Sequence, residues 1–403
     1  TTTLDDPLTD RAHAIPVETK AAPEAITFDL RVPMLAFAAS RLVVLVAAIV
    51  ASLEIGVSDR GIDAAVPRAL AVLGAWDTTW YLEIARYGYA FDYGQVGIVY
   101  TNHAFFPGLP LLMAAALGLG LNPFVFALAV ANASFLAALV GLHALTRAMW
   151  DERMADRAVW CLALFPPAIF ASLAYTEGVT LALAVAAALA AYRGRLAVAG
   201  LAAGGAALMR PTGLLVLVLV ALIVARDPRP GRPWRLALAT LPTLAAVTLF
   251  LAWMRLERGS ATLSFEAQAA WDRGALGVEM VGRLVSEAGA LLVRLAEGHI
   301  TLSWTADLRD ILFTAVYVAL VVLLWRMFGG VRSPWVVYSV AMLAIPLSSG
   351  TFTSMARMGL LAFPLIWPLA DWIGRDPRRV RPAVAVAVAF MLLGVAQLAL
   401  RSP

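Results

Sequence analysis

The chain has 403 residues, of which 61% are hydrophobic and 14% are charged, and its mean hydropathy is +0.80. A soluble globular domain has about 25% charged and about 45–50% apolar residues, so this composition excludes one. The apolar stretches are continuous rather than alternating, which excludes an outer-membrane barrel and predicts an all-α polytopic membrane protein. The net charge of +4 reflects basic cytoplasmic loops and indicates no nucleic-acid partner. The single cysteine, Cys161, excludes an intrachain disulfide.

The predicted elements begin with a flexible, polar cytoplasmic tail over residues 1–30, which shows no signal-peptide pattern. A single transmembrane domain is predicted over residues 31–403, with a first span from Pro33 to about Leu53 and a long first external loop over residues 54–103. Further apolar segments are predicted at residues 105–120, 123–146, 157–174, 177–192, 196–209, 212–225, 234–256, 306–325, 334–348, 356–373 and 382–400. Several are shorter than the ~20 residues of an upright span, and together they predict about eleven transmembrane helices.

The charge of the connecting loops predicts the side that each one faces. Arginine-rich loops at residues 226–235, 326–332 and 375–381 are expected in the cytoplasm, and the polar stretch 257–305 is expected to be external, with the first loop. If residues 105–120 cross the bilayer fully, the arginine-bearing loops at 147–157 and 192–195 fall outside, against the charge rule. If 105–120 only dips in and 196–225 is a hairpin broken at Arg210-Pro211-Thr212-Gly213, those loops fall inside. We favour the second arrangement.

Two amphipathic helices are predicted in the first external loop, at Ile62–Leu73 and at Thr78–Tyr87. Asp77 is a good N-cap residue for the second helix. On that helix Trp80, Ile84 and Tyr87 share one face, which indicates an interfacial helix with its aromatic side chains at headgroup depth.

Asp77 is the candidate general base. A carboxylate at the rim of a bilayer-level pocket can take the proton of an acceptor hydroxyl group, and its neighbours Trp76, Trp80 and Tyr81 could stack on a sugar ring. The alternative is that Asp77 only caps a helix. His103, at the entry to the next apolar segment, either has a structural role or holds a phosphate.

Ionisable residues inside the apolar segments are candidates for a second part of the site. Arg210 lies within about 30 apolar residues and Arg357 is in a similar setting, so each must pair or reach water. Arginine binds phosphate through two parallel hydrogen bonds and stays charged, which favours a lipid-phosphate site; the alternative is that both side chains extend to an interface. Glu177 follows Tyr175 and either belongs to the site or only starts a helix.

The second external loop supplies three further candidates, Gln268, Trp271 and Arg273, whose alternative is an interfacial helix. The sequence shows no phosphate-binding glycine loop, no zinc-ligand spacing and no readable Ser-His-Asp pattern. A nucleotide-sugar donor is therefore not indicated.

The order of these blocks resembles the PIG-V family, the second mannosyltransferase of GPI-anchor synthesis, and its bacterial relatives. The matching blocks are Trp76-Asp77-Thr78-Thr79-Trp80-Tyr81-Leu82 with Gly88-Tyr89, Ala104-Phe105-Phe106-Pro107, Phe165-Pro166-Pro167 with Tyr175-Thr176-Glu177, and Arg210-Pro211-Thr212-Gly213. Fainter matches are Phe265 with Gln268 and Trp271, and Arg357 with Phe363-Pro364.

The resemblance implies a GT-C glycosyltransferase fold with a catalytic aspartate in the first external loop, which Asp77 matches, and a polyprenyl-phosphate-mannose donor. It implies an inverting α-mannosyltransferase in which Tyr175, Glu177, His103, Gln268 and Trp271 join the aromatic residues around the substrate. Arg210, Arg357 and Arg273 would hold the lipid phosphate. No cofactor is required, and a divalent metal ion stays open as an alternative but is not indicated.

The composition is typical of a bacterium with a GC-rich genome, so the expected location is a bacterial plasma membrane, with the site on the extracytoplasmic face. Such bacteria make no GPI, which favours a lipomannan, a phosphatidylinositol mannoside or another cell-envelope glycan as the acceptor. Two other functions stay open at this point: a transporter or flippase of a lipid-linked sugar, and a noncatalytic envelope-assembly partner.

Overall fold

The computed structural model describes residues 29–54, 62–89, 93–95, 98–268, 278–298 and 302–400. Most of the predicted tail lies outside these ranges, as do Trp271 and Arg273. The α-helices are α1 Arg31–Glu54, α2 Arg68–Ala71, α3 Asp77–Tyr87, α4 Gly108–Gly118, α5 Pro123–Met149, α6 Glu152–Leu164, α7 Glu177–Tyr192, α8 Leu196–Met209, α9 Leu215–Arg226, α10 Arg232–Arg258, α11 Leu263–Glu266, α12 Val278–Ala296, α13 Leu302–Phe328, α14 Pro334–Leu347, α15 Met355–Gly359, α16 Ile366–Gly374 and α17 Val380–Leu400.

Shorter 3₁₀ segments and one small hairpin complete the described elements. The 3₁₀ segments are Val72–Gly74, Asn102–Ala104, Pro166–Ser172, Pro211–Leu214, Phe363–Leu365 and Pro377–Arg379. The antiparallel strands β1 Tyr93–Gln95 and β2 Ile98–Tyr100 pair with Gly94 opposite Val99. The expectation of a helical polytopic membrane protein is confirmed.

Fewer helices have the length of an upright membrane span than the sequence predicts. Among the described residues, five helices are long and apolar enough to cross a bilayer, or six if α6 and the following 3₁₀ segment, bent by 72°, form one span. Five further apolar helices have only 10–17 residues: Gly108–Gly118, Glu177–Tyr192, Leu196–Met209, Pro211–Arg226 and Pro334–Leu347. The count of about eleven therefore stays a prediction.

Local sequence signals set the helix boundaries. The side chain of Asn122 accepts hydrogen bonds from the N–H groups of Phe124 and Val125 at the start of α5, and Pro123 occupies the first turn. Asp151 caps α6 by accepting from the Met154 N–H. The predicted break at Arg210-Pro211-Thr212-Gly213 is confirmed, because α8 ends at Met209 and α9 begins at Leu215.

Two predicted segments are wrong in detail. Residues 62–73 form no continuous amphipathic helix: within them only α2 and the beginning of a 3₁₀ segment are helical. The apolar segment 356–373 is divided into α15, a 3₁₀ turn at Phe363–Leu365 and α16. The prediction missed this division because hydropathy alone shows no break there.

Small residues let the helices of the core approach closely. A Cβ added to Gly200 of α8 would lie 2.7 Å from the carbonyl oxygen of Ala239 on α10, and the Thr243 hydroxyl group donates to the Gly200 carbonyl at 3.0 Å. A Cβ added to Gly178 of α7 would lie 2.5 Å from the Ala131 carbonyl oxygen on α5. Close backbone approach through glycine is typical of helix pairs in membranes.

Arginine-bearing loops gather at one end of the helix array. The guanidinium group of Arg229 packs against Gly194, and that of Arg157 packs against Gly374. These contacts join the loops at 147–157 and 192–195 to the arginine-rich loops, as the favoured topology requires. The 16-residue helix α7 ends beside this cluster of loops at Tyr192 and begins at Glu177, about 24 Å away.

Candidate active site

Asp77 is the first residue of helix α3, and Trp76 occupies the N-cap position. The prediction that Asp77 itself is the N-cap is therefore wrong by one position, and no side chain caps this helix. Trp76 has a φ of +49°, which is unusual for a residue with a side chain and typical of strained positions near functional sites. The Asp77 carboxylate is thus free to interact outside its own helix.

Four charged side chains from distant parts of the chain form one cluster. Asp77 accepts a hydrogen bond from Nη1 of Arg357, although 280 residues separate them. Glu177 Oε1 lies 2.7 Å from Nη1 of Arg210 and 3.5 Å from Nε of Arg357. The side chains of Glu177, Arg357 and Arg210 are 2%, 8% and 10% exposed, while that of Asp77 is 22% exposed. Asp77 is therefore the member that a ligand can reach most easily.

Tyr175 ties Asp77 to the centre of the fold. Its hydroxyl group donates to the Ala75 carbonyl at 2.7 Å and accepts from the Asp77 N–H at 3.2 Å. The guanidinium carbon of Arg357 lies 5.3 Å from the centre of the Tyr175 ring, within the range of a cation–π contact. Tyr175 is completely buried, so its role in this structure is to fix the start of α3.

The predicted aromatic residues differ in how far a ligand can reach them. Tyr81 is buried, and its ring contacts Phe105 edge-on at 5.3 Å and Tyr175 at 6.5 Å. Trp80 stacks on Phe105 at 5.6 Å, so one face of its indole is covered. Thr78, Tyr81, Leu82 and Ile84 are the buried residues of α3. Of the predicted interfacial face, Ile84 therefore packs inward, whereas Tyr87 is 77% exposed.

Buried polar atoms without hydrogen bonds surround the ion pairs. Among the described residues, none donates to Glu177 Oε2 or accepts from Nε of Arg210. The same holds for the buried hydroxyl groups of three nearby threonines, Thr78, Thr180 and Thr212. Buried polar groups are normally satisfied, so this concentration around one cluster is typical of a site for a polar ligand.

Gln268 links the predicted second external loop to the segment that carries His103. The Gln268 side chain donates to the Ala104 carbonyl at 2.6 Å, and the His103 ring stacks on Tyr89 at 5.5 Å. Burial, and then the charge of Arg258, lower the pKa of His103 below its usual value. A neutral imidazole is a weaker partner for phosphate than a guanidinium group, so the structural alternative for His103 gains support.

One group of residues has the spacing of metal ligands among the parts of the chain that the structure describes. His143 Nε2 lies 3.1 Å from Asp156 Oδ1 and 3.4 Å from Glu152 Oε1. His143 is twelve residues further along α5 than Ala131, which contacts Gly178, so it lies about 18 Å along the helix from the ion pairs.

The structure therefore brings Asp77, Tyr175, Glu177, Arg210 and Arg357 together. His103 and Gln268 lie to one side of them, and Trp271 and Arg273 fall outside the described residues. Sequence reasoning missed Asp310 and Tyr317, which hold the segment that carries Arg357. An acidic residue within the first turns of an apolar helix was the available signal for Asp310.

The fold and the site together define the class of protein: it is a helical membrane protein whose charged site lies at the end opposite its arginine-rich loops. Residues 34–225, just under half of the chain, match the family described as mannosyltransferase (PIG-V). The resemblance to this family is thus confirmed over this segment, and it supports a membrane glycosyltransferase. Among curated proteins, no significant match was found.

Similar solved structures are oligosaccharyltransferases of Archaeoglobus fulgidus. One, a complex with zinc and sulfate, has a TM-score of 0.39 and 14% identity, over 89% of this chain and 53% of that chain. Another, with an inhibitory peptide and a dolichol-phosphate, has a TM-score of 0.37 and 13% identity, over 89% and 55%. This chain spans little more than half the length of those chains, and the low TM-scores carry no argument about its site.

Proposed function

We propose that the protein is an inverting mannosyltransferase that moves mannose from polyprenyl-phosphate-mannose to a lipid-linked or cell-envelope glycan acceptor. The observation that carries this proposal is the buried cluster of Asp77, Glu177, Arg210 and Arg357 at the end of the fold opposite the arginine-rich loops. The family match over residues 34–225 supports mannose as the transferred sugar.

Arg210 and Arg357 are suited to a lipid monophosphate. Both guanidinium groups are almost completely buried, and Nε of Arg210 has no acceptor among the described residues. A guanidinium group offers parallel donors that match phosphate oxygens, and its attraction for an anion is stronger when water is excluded. Charge builds up on the departing phosphate, so donors fixed there stabilise the transition state without a metal ion.

Asp77 is suited to the proton transfer. The acceptor oxygen bonds to the anomeric carbon on the face opposite the phosphate, the bond from that carbon to the phosphate oxygen breaks, and Asp77 receives the hydroxyl proton. The products are the mannosylated acceptor, polyprenyl phosphate and protonated Asp77, which then releases its proton to water. A single displacement of this kind inverts the configuration, so a β-linked donor gives an α-mannoside.

The Asp77–Arg357 hydrogen bond indicates an order of events. The phosphate of an entering donor competes with Asp77 for the donors of Arg357. Once Arg357 binds the phosphate, the Asp77 oxygen is released to face the acceptor hydroxyl group. Donor binding would thus precede activation of the base.

The aromatic residues near Asp77 and the membrane around the site complete the proposal. Trp80 and the half-buried Trp76 keep their predicted role of stacking on a sugar ring. Trp271 and Arg273 keep their predicted roles in sugar and phosphate binding. The proposed location is a bacterial plasma membrane, with the site on the extracytoplasmic face, and the acceptor is a glycolipid such as a lipomannan precursor.

The test is transfer of radiolabelled mannose from synthetic polyprenyl-phosphate-mannose by the purified protein in lipid nanodiscs, with membrane glycolipids as acceptors. Asp77→Asn should lower the turnover number about 10²–10⁴-fold, the typical contribution of a general base. Glu83→Gln on the same helix is the matched control and should keep normal turnover. An unchanged rate in a normally folded Asp77→Asn protein would exclude Asp77 as the base.

A lipid-linked-sugar flippase or transporter is the second candidate function. Two helical segments are interrupted, one by the bend after α6 and one by the break between α8 and α9 that carries Arg210. Interrupted helices form the substrate sites of many transporters. Reconstituted vesicles distinguish the two functions. Movement of labelled lipid across the bilayer with no new glycosidic product would favour the flippase.

A further inference from the structure

Arg357 sits on a helix too short to hold its own position. Helix α15 has five residues, Met355–Gly359, and its N-cap residue Ser354 has a φ of +67° with no side-chain cap. Isolated turns of helix are unstable because few hydrogen bonds offset the cost of ordering the backbone. The placement of Arg357 must therefore come from contacts with other elements.

Helix α13 supplies contacts to both backbone groups of the residue before Arg357. Asp310 Oδ1 accepts from the Ala356 N–H at 3.0 Å, and Oδ2 accepts from the Ser354 N–H at 2.8 Å. The Tyr317 hydroxyl group, two helical turns further along α13, donates to the Ala356 carbonyl at 2.8 Å. Both backbone groups of Ala356, the N–H and the C=O, are thus hydrogen-bonded to side chains of one helix.

Burial and close packing make these contacts strong constraints. Asp310 is 3% exposed and Tyr317 is 1% exposed. Arg309 Nη2 lies 3.5 Å from Asp310 Oδ2 and donates through Nη1 to Gln397 on α17 at 2.7 Å, which anchors this end of α13. Gly359, the last residue of α15, leaves room for the Tyr317 ring, which a Cβ there would overlap.

We propose that Asp310 and Tyr317 are positioning residues for Arg357, and that they set where its guanidinium group meets the donor phosphate. This inference rests on the proposed function. Neither residue touches Asp77 or Glu177 in the described contacts, so each acts through the backbone of α15. A displacement of about 1 Å in a catalytic group can cost about 10²-fold in rate, so loosening this clamp should reduce both phosphate binding and turnover.

The test is a double-mutant cycle with two measured quantities. They are the affinity for polyprenyl monophosphate, measured by calorimetry in nanodiscs, and kcat/KM for polyprenyl-phosphate-mannose. Asp310→Asn removes the charge and replaces the acceptor of one of the two N–H groups with an amide NH2 group, which can only donate. Tyr317→Phe removes only the hydroxyl group and carries the test if Asp310→Asn does not fold.

We expect each variant to lower kcat/KM about 10- to 100-fold and to weaken polyprenyl monophosphate binding. In an Arg357→Gln background the same changes should cause no further loss of binding, because the group that they position is gone. Tyr338→Phe is the matched control: its buried hydroxyl group donates to the Leu361 carbonyl at 3.0 Å, in the segment just beyond α15, and its removal should leave both quantities unchanged.

The outcomes distinguish failure of the proposed function from failure of the positioning role. If the wild-type protein neither binds polyprenyl monophosphate nor transfers mannose, the proposed function fails. If the wild-type protein does both and the folded Asp310 and Tyr317 variants match it, the positioning role is wrong. Losses that add fully to that of Arg357→Gln, or an equal loss in Tyr338→Phe, would also overturn the inference, since they indicate a general structural effect.

Discussion

Glu177 decides the charge balance of the site, because its carboxylate contacts both arginines at once. With Asp77, it gives two negative charges for the two guanidinium groups. Burying an ion is costly unless a partner of opposite charge and further hydrogen bonds compensate it. The cluster is therefore stable only as a set, and a ligand phosphate must be accommodated by a rearrangement of partners rather than by simple addition.

Replacing Glu177 tests this dependence. Glu177→Gln keeps the shape but leaves Arg210 and Arg357 with one carboxylate between them, and breaking a buried pair costs about 3–5 kcal/mol. Thermal unfolding of the purified variant should show this loss. The exposed pair of Glu279 with Arg283 is the control, and Glu279→Gln should change stability by about 0.5 kcal/mol or less. A Glu177→Gln protein as stable as the wild type would mean that water or lipid compensates the arginines.

Individual residues of the site were predictable where a charge stands in an unfavourable or unusual setting. Arg210, Arg357 and Glu177 are costly charges in apolar segments, and Asp77 is a carboxylate among aromatic residues. Their pairing was not predictable, since 280 residues separate Asp77 from Arg357. Asp310 stood out only as an acidic residue in an apolar helix. Its role could not be predicted, because it holds Ser354 and Ala356 through their backbone and a backbone partner leaves no side-chain pattern.

At the scale of elements, α7 connects the core packing to the site. Glu177 opens this helix, and the next residue, Gly178, lies directly against the backbone of α5. The position of the Glu177 carboxylate thus depends on how closely two helices approach. Proline and glycine signals predicted the break between α8 and α9. They did not predict the division of residues 356–373, where close packing of α15 on α13 overrides a uniformly apolar sequence.

Gly178→Ala tests the link between helix packing and the site. The added methyl group would lie 2.5 Å from the Ala131 carbonyl oxygen and 3.3 Å from that of Ala171, so α7 must shift. Overpacking of this kind costs about 1–3 kcal/mol, and the displaced Glu177 should also lower mannose transfer. Gly118→Ala on α4 is the control, because nothing lies within 4 Å of its added Cβ. Its stability should be unchanged or up to about 1 kcal/mol higher. Equal behaviour of the two variants would contradict the proposed link.

For the whole molecule, the main organising feature is that the arginine-rich loops lie at one end and the ion-pair cluster lies at the other. The composition alone predicted a helical membrane protein, and the charge rule favoured one of two topologies. The contacts of Arg229 with Gly194 and of Arg157 with Gly374 agree with that topology. Hydropathy alone could not decide between them, because α4 has 11 residues and its apolar length is compatible with either a short span or a segment that dips into the bilayer.

Cysteine accessibility in intact cells tests this orientation. The single cysteine, Cys161, is replaced by alanine, and one new cysteine is then introduced at a time. Tyr87→Cys lies on α3 at a side chain that is 77% exposed, and Arg378→Cys lies in an exposed arginine-rich loop. A membrane-impermeant maleimide should label the first variant in intact cells and the second only after permeabilisation, because arginine-rich loops stay in the cytoplasm. The reverse pattern would place Asp77 in the cytoplasm, where the proposed extracytoplasmic use of a polyprenyl-phosphate donor could not occur.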